Sequence, residues 1–235
     1  MQIRLYVTQP LSEGAEVFLS ESQAHYLRSV LREKTGSEVF LFNGRDGEFS
    51  GKITVLDKKK AVAGNLTRTK LQPPRGDLRL YFAPLKRDCT DMVVEKATEL
   101  GATLICPVIT EYTTASRVNT DRLKSIAIEA CEQCRRLDVP EISDPVSLKE
   151  LLNEQGEEKP VLIHLDESGA GMPPSKVIDP SRPAAFLVGP EGGFSVAERR
   201  LISETKNTVS LDLGERILRA ETAALAVLAL YSCFK

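Results

Sequence analysis

Ala185-Phe186-Leu187-Val188-Gly189-Pro190-Glu191-Gly192-Gly193-Phe194-Ser195 is the stretch on which the fold of this 235-residue chain turns. The leading apolar run reads as a buried strand, and Ser195 with Glu198 three residues on is a capping box that opens a helix. Strand, glycine-rich loop and helix in that order form the unit of an α/β sheet, whose ligands collect at the carboxyl ends of strands. A second loop of this kind, Leu213-Gly214-Glu215-Arg216-Ile217-Leu218-Arg219, follows the apolar run at 209–213.

The chemistry of the two loops points away from phosphate, because Glu191 stands among the glycines and no Lys follows them. Glycine is needed where backbone must approach a ligand closely or take positive φ, and Glu191, Glu215 and Glu221 suit a ligand with cationic groups. Taken alone, the first loop also fits a plain Pro/Gly turn between strand and helix.

Outward from these loops, apolar runs at 78–83, 103–109, 161–165, 184–188 and 209–213 alternate with helical stretches, as a mostly parallel sheet with helices on both faces requires. Asp88 is placed to cap a helix that Gly101 stops, Asn119 or Thr120 opens the next, and Ser195 a third. General chain physics predicts an unknotted doubly wound sheet. The stretch 222–234 is apolar on almost every side, so it must be buried, either in the protein's own core or in a subunit interface.

Leu71-Gln72-Pro73-Pro74-Arg75-Gly76-Asp77 breaks the chain into two kinds of sequence. Before it, runs at 39–42, 49–56 and 61–67, punctuated by Asn43-Gly44, Asp46-Gly47 and Lys58-Lys59-Lys60, predict a small antiparallel barrel. One helix interrupts it, opened by Ser20 with Gln23 and carrying Tyr26, Leu27, Val30 and Leu31 as an apolar stripe. His25, Arg28 and Arg32 stand on its other face, either as a solvated surface or as a grip on nucleic-acid phosphates. The net charge is −2, but residues 1–72 hold 11 Lys/Arg against 8 Asp/Glu and the remainder 20 against 25, so the cationic excess is N-terminal. An excess of this size is as compatible with an ordinary surface as with RNA.

The first residues, Met1-Gln2-Ile3-Arg4-Leu5-Tyr6, carry no signal-peptide pattern, and the longest apolar run, 223–231, is too short to span a bilayer. Cytoplasm is the expected compartment. Five cysteines do not form a disulfide framework; Cys131 and Cys134 fall inside a predicted helix over 122–136, without the second pair that zinc would want, so no metal is expected.

The two loops, read with the Ala220-Glu221-Thr222-Ala223 that follows, resemble the ribosomal RNA small subunit methyltransferase E family of the SPOUT class. The resemblance extends through Lys96-Ala97-Thr98-Glu99-Leu100-Gly101, Ile128-Glu129-Ala130-Cys131-Glu132-Gln133-Cys134 with Val139-Pro140, and His25-Tyr26-Leu27-Arg28-Ser29-Val30-Leu31-Arg32. It implies methylation of uridine N3 in small-subunit (16S) ribosomal RNA, in an assembled or nearly assembled 30S subunit, with S-adenosylmethionine (SAM) as donor. Its sulfonium and α-amino groups match the carboxylates of the loops. The implied architecture is a PUA-like RNA-binding β-barrel over 1–72 and, over 73–235, an α/β SPOUT domain with a C-terminal deep trefoil knot, assembled as a homodimer. The implied cofactor site comprises Leu165, Gly189, Pro190, Glu191, Gly192, Gly193, Leu213, Gly214, Ile217 and Leu218, with the loop after 161–165 completing its wall.

Uracil N3 carries a proton at neutral pH, so its methylation needs a base, or a cation that stabilises charge developing on O2 and O4. Arg219 is the candidate cation, with Glu221 or Glu129 as polar partner; an ion pair of Arg219 with Glu221 or Glu215 is the competing structural reading. Lys86 and Arg87, at the carboxyl end of the first α/β strand, join His25, Arg28 and Arg32 as candidate RNA contacts. The target base must be unpaired or turned out of its helix. Two alternatives stand beside this reading: a SPOUT enzyme acting on a ribose 2′-oxygen or a transfer-RNA base, and a noncatalytic RNA-binding module.

Overall fold

The computed structural model describes residues 2–114 and 117–233. The chain forms two compact units, one of residues up to 75 together with 131–139, the other of residues 76–130 and 140 onward. The first contains β1 (Arg4–Tyr6), β2 (Val17–Leu19), α1 (Glu21–His25), β3 (Glu38–Phe42), β4 (Glu48–Leu56) and β5 (Ala61–Lys70). Its five-stranded sheet runs β1-β3-β4-β5-β2, antiparallel except for β1 against β3. The short β1 and β2 carry too little alternation to be read from sequence. Leu5, Val39, Leu41, Phe49, Ile53 and Leu66 form the core between them.

The β3–β4 turn is built by Asn43, whose side-chain oxygen accepts from the Arg45 and Asp46 amides at 3.0 and 2.9 Å. Gly47 at φ 94° is obligatory there, because a Cβ would collide with the Lys70 carbonyl. The Ser20–Gln23 capping box opens α1 as expected. The chain then continues as a π-helical turn, Tyr26–Val30, which rotates the predicted apolar stripe. Only Leu27 is fully buried, while Tyr26 and Val30 are 38% and 59% exposed.

The segment 131–139 joins this unit because Arg4 holds it. The buried Arg4 guanidinium pairs with Glu48 at 3.0 Å and donates to the carbonyls of Cys131 and Arg136, both at 3.3 Å. Lys70 and Thr69 complete the Glu48 carboxylate at 3.1 and 3.0 Å. Burial alone would raise the Glu48 pKa, but Lys70, Thr69 and Arg4 outweigh it and hold the carboxyl below its usual range. Glu48→Gln leaves the Arg4 charge buried and unpaired, and is expected to lower the unfolding free energy by about 3 kcal/mol in chemical denaturation at pH 7. A folded-state pKa below the unfolded one gives stability that is complete above the ordinary carboxylate pKa and is lost as pH falls through the lowered value. Wild type and variant should therefore converge in acid, and equal stability at pH 7 would remove the pair from the account.

The second unit contains β6 (Leu78–Phe82), α2 (Arg87–Glu99), β7 (Leu104–Ile109), α3 (Thr120–Cys134, its end lying in the first unit), β8 (Glu141–Ile142), β9 (Val146–Ser147) and α4 (Leu148–Asn153). There follow β10 (Val161–Leu165), α5 (Pro174–Val177), β11 (Ala184–Val188), α6 (Val196–Glu204), β12 (Thr208–Leu211) and α7 (Ala220–Cys233). The sheet runs β12-β10-β11-β6-β7-β8, with β9 beside β7, and every pairing is parallel. Alternate residues of β11 pack opposite ways. Ala185 and Leu187 join Leu151, Phe194 and Ile202 of the α4 and α6 side, whereas Phe186 meets Tyr231 of α7, ring centroids 6.1 Å apart. Coverage on both faces explains the continuous apolar runs of β7 and β11, while Arg79, His164 and Ser210 interrupt those of β6, β10 and β12.

Capping differs from expectation at α2, where Lys86 occupies the N-cap without a side-chain bond and Asp88 lies in the first turn. Thr90 fixes that entry instead, bonding both the amide and the carbonyl of Leu85 at 3.0 Å. Asn119 caps α3 and Ser195 caps α6, both as expected, while the capping box of Ser147 and Glu150 at α4 went unread. Of the predicted helix over 222–234, Phe234 lies outside the described residues. Among the described residues no helix is long and apolar enough to cross a membrane. Burial pushes the Cys131 thiol up to about 12, so it is inert. Among the same residues no cluster of three or more His, Cys, Asp or Glu is arranged for a metal.

Candidate functional site

Because β12, β10 and β11 are adjacent and parallel, their carboxyl ends open at one edge of the sheet, and the loops that leave them meet there. Together they enclose a cavity of about 920 Å³ lined by residues 164–169, 188–191, 193–194 and 211–221, with Lys86, Arg199 and Ala223. Backbone bonds join the first loop to the last: Asp166 N to Leu211 O, Met172 N to Ser210 O and Asp212 N to Met172 O, each 2.9 Å. The middle loop turns through Gly193 N to Pro190 O at 2.9 Å. Gly193 is buried at φ 70°, and a Cβ there would run into the Glu167 carboxylate; one at Gly189 would stand 2.8 Å from the Phe194 ring. Gly214 takes φ 110°. Gly193 and Gly214 bring backbone to the cavity wall in conformations that other residues rarely adopt, and Gly189 does so by leaving room for the Phe194 ring.

The wall is acidic on balance, with carboxylates from Asp166, Glu167, Glu191, Asp212, Glu215 and Glu221 against cations from Lys86, Arg199, Arg216 and Arg219. Arg199 reaches Glu167 at 3.7 Å. Glu221 is the most telling of these groups. It is 8% exposed, one oxygen meets only the Cys89 thiol at 3.9 Å, and the other has no partner among the described residues. An unsatisfied buried carboxylate oxygen is costly, which marks a position suited to a donor or a cation. Burial and the Glu221 charge together push the Cys89 thiol up, so it stays protonated as the donor. Arg219 is exposed at the wall and forms no ion pair with Glu215 or Glu221 among the described residues, against the structural reading of that side chain. His164, on β10, lies 3.4 Å from Ser210 Oγ with its ring edge-on to Phe194. Burial lowers its pKa, so it stays neutral at physiological pH and adds no positive charge to the wall.

Of the sequence-predicted residues, Leu165, Gly189, Pro190, Glu191, Gly193, Leu213, Gly214, Ile217, Leu218, Arg219 and Glu221 line this one cavity. Gly192 does not; it is exposed beside Tyr112, which a Cβ would meet at 3.4 Å. Glu129 stands exposed on α3 and is absent from the wall, since its place on the helix turns it to solvent. Lys86 lines the cavity, whereas Arg87 is exposed at the start of α2 outside it. His25, Arg28 and Arg32 are exposed in the first unit, Arg32 at φ 59°. The loop after 161–165 reaches the wall through residues 166–169; Asp166 and Glu167 within it, and His164 and Arg199, were not singled out in the sequence. Asp166 and Glu167 directly follow a readable strand, but Asp166-Glu167-Ser168-Gly169 is ordinary turn composition and carries no motif.

Comparison with known proteins gives the class first. The model described as an RNA methyltransferase domain matches residues 72–232, and that of the RNA methyltransferase PUA domain matches residues 19–64. The fold and the cavity are thus those of an RNA methyltransferase domain preceded by a PUA-like domain. More narrowly, the chain belongs to the ribosomal RNA small subunit methyltransferase E family. The Rickettsia conorii member is 33% identical over 96% of this chain and 93% of its own length, and that of Aquifex aeolicus 33% over 93% and 99%. A structure of the Neisseria gonorrhoeae family member bound to S-adenosyl methionine matches at TM-score 0.89 and 30% identity, covering 100% of this chain and 98% of that one. A Legionella pneumophila protein solved with the bound cofactor SAM matches at TM-score 0.87 and 31% identity, with the same coverage.

Proposed function

We propose that this protein transfers a methyl group from SAM to N3 of a uridine in 16S ribosomal RNA. The observation that carries the reading is the acidic, glycine-walled cavity in which Arg219, without an ion-pair partner among the described residues, and Glu221, one of whose carboxylate oxygens has no partner among them, stand on either side of Ala220. The residues present suit SAM: the carboxylates match its cationic groups, and Gly193, with no side chain, lets the Glu167 carboxylate close against the backbone of the cavity wall. When bound, it supplies an electrophilic methyl group.

Leu165, residues 189–191 with Gly193, and the 213–218 loop hold the cofactor through close backbone approach and exclude water from it. Arg219 donates to uracil O2 or O4 as the N3–H bond breaks and negative charge develops there, and the N3 proton leaves to the Glu221 carboxylate or to solvent as the methyl group arrives. Glu129 takes no part, being outside the wall. Lys86 and Arg87, with His25, Arg28 and Arg32, hold RNA phosphates. The same reading assigns residues 1–72 to RNA binding and 73–235 to catalysis, and places the enzyme in the cytoplasm acting on assembled or nearly assembled 30S subunits. It includes a knotted C-terminal segment, supported by the convergence of the 189–193 and 213–219 loops on one cavity. A homodimer is supported by Leu225, Ala226, Ala229 and Leu230 of α7, which the chain leaves half-buried.

Calorimetric titration with SAM, followed by transfer of labelled methyl to separated ribosomal subunits, tests this. Saturable binding and label confined to small-subunit RNA are expected; binding without label in that RNA would remove it as the substrate.

A further inference from the structure

A second concavity lies wholly within the first unit and shares no residue with the cavity described above. Its walls are the Asn43-Gly44-Arg45 turn, the stretch Gln72 to Arg75, Tyr6, and Asp138 with Val139, and its volume is about 360 Å³. That is at the small end of ligand sites, which run from roughly 300 to 1,000 Å³. It exists because Arg4 draws the 131–139 segment against the sheet; Gly44, at φ 77°, lets the turn approach the backbone of Leu137 and Asp138, 3.8 Å from where a Cβ would stand.

Three features of this wall are nucleotide chemistry. Arg45 and Arg75 line it; Arg45 spends one donor on the Thr8 carbonyl at 3.0 Å, and the Arg75 charge also acts on Asp138. The acid beside them is neutralised, since Arg136 grips Asp138 with a fork of 3.1 and 2.7 Å, so the concavity carries a positive balance suited to phosphate. The Gln72 side-chain oxygen is buried without a hydrogen-bond partner among the described residues, an acceptor in want of an N–H. Tyr6, braced edge-on by Phe42 at 5.7 Å, adds an aromatic wall of the kind on which bases stack.

We propose that this concavity holds one nucleotide of the substrate RNA other than the methylated one, its phosphate on Arg45 and Arg75 and a base N–H on Gln72 Oε1. The proposal rests on the RNA-methyltransferase reading and adds a recognition point to it.

The test uses the full-length protein with SAM and small ribosomal subunits, comparing wild type with Arg45→Ala, Arg75→Ala and Gln72→Leu. Each variant is expected to raise KM about tenfold while kcat and SAM affinity stay within about twofold. The two arginine variants should also reduce the salt dependence of RNA binding by ~1 contact, which Gln72→Leu should not. Thermal melting reports folding separately, and Gln72→Glu, which keeps the acceptor, should restore most of the loss caused by Gln72→Leu. Unchanged KM in Arg45→Ala and Gln72→Leu would overturn the proposal. So would saturation-transfer NMR in which adenosine, guanosine, cytidine or uridine monophosphate binds through these residues while the RNA KM is unaffected, which would make this a site for free nucleotide. Should wild type methylate no RNA, the functional reading itself fails; filter retention of small-subunit RNA by the same variants then still decides the nucleotide site, equal retention overturning it.

Discussion

Gly193→Val is expected to reduce SAM affinity by more than about 100-fold while leaving affinity for small-subunit RNA largely intact. Two costs add at this position. The φ of 70° is one that a β-branched residue adopts only under strain of about 1–3 kcal/mol, and its Cβ would meet the Glu167 carboxylate. Glu167 lines the cavity and reaches Arg199 at 3.7 Å, so the substitution must shift both a wall carboxylate and the backbone of the loop. Gly192→Ala is the matched control: φ is not positive there, the Cβ meets Tyr112 at an ordinary 3.4 Å, and near-normal binding is expected. Calorimetry on both variants separates the outcomes, and unchanged affinity in Gly193→Val would remove the 189–193 loop from the cofactor site.

Arg219→Ala is expected to lower kcat by about 10²–10³ with SAM affinity within a few-fold of wild type, the signature of a contact made chiefly in the transition state. The side chain is exposed and without an ion pair among the described residues, so its removal should leave stability within about 0.5 kcal/mol. Arg219→Lys should recover only part of the rate, because a point charge does not reproduce the planar fork of donors. Parallel loss of cofactor binding and turnover would mark a structural role instead. Glu221→Gln extends the test: it keeps shape and removes charge at the carboxylate whose second oxygen is unsatisfied.

What the sequence discloses here depends on how local the cause is. The parallel strands were legible because burial on both faces makes them largely apolar runs, and the Ser20 and Ser195 helix starts because capping is a four-residue affair. The glycine loops could be placed at strand ends for the same reason. Docking of 131–139 onto the N-terminal sheet was not legible, since it depends on Arg4 bonding carbonyls more than a hundred residues away. Glu129 was drawn into the site by its motif, yet the helical phase of α3 leaves it in solvent. Asp166 and Glu167 belong to a loop with no distinctive composition, and only the contact of that loop with Leu211 brings them to the cavity. The π-helical turn after His25 came from no residue pattern that marks such turns, and it displaced Tyr26 and Val30 from the core.

The most direct test of the account is identification of the methylated nucleoside. Small ribosomal subunits from cells lacking this activity are incubated with the protein and methyl-labelled SAM, and the RNA is digested and resolved by mass spectrometry. Label in N3-methyluridine at a single site is the expected result; label in a ribose 2′-oxygen or in another base would contradict the assignment of Arg219 and Glu221 to uracil chemistry.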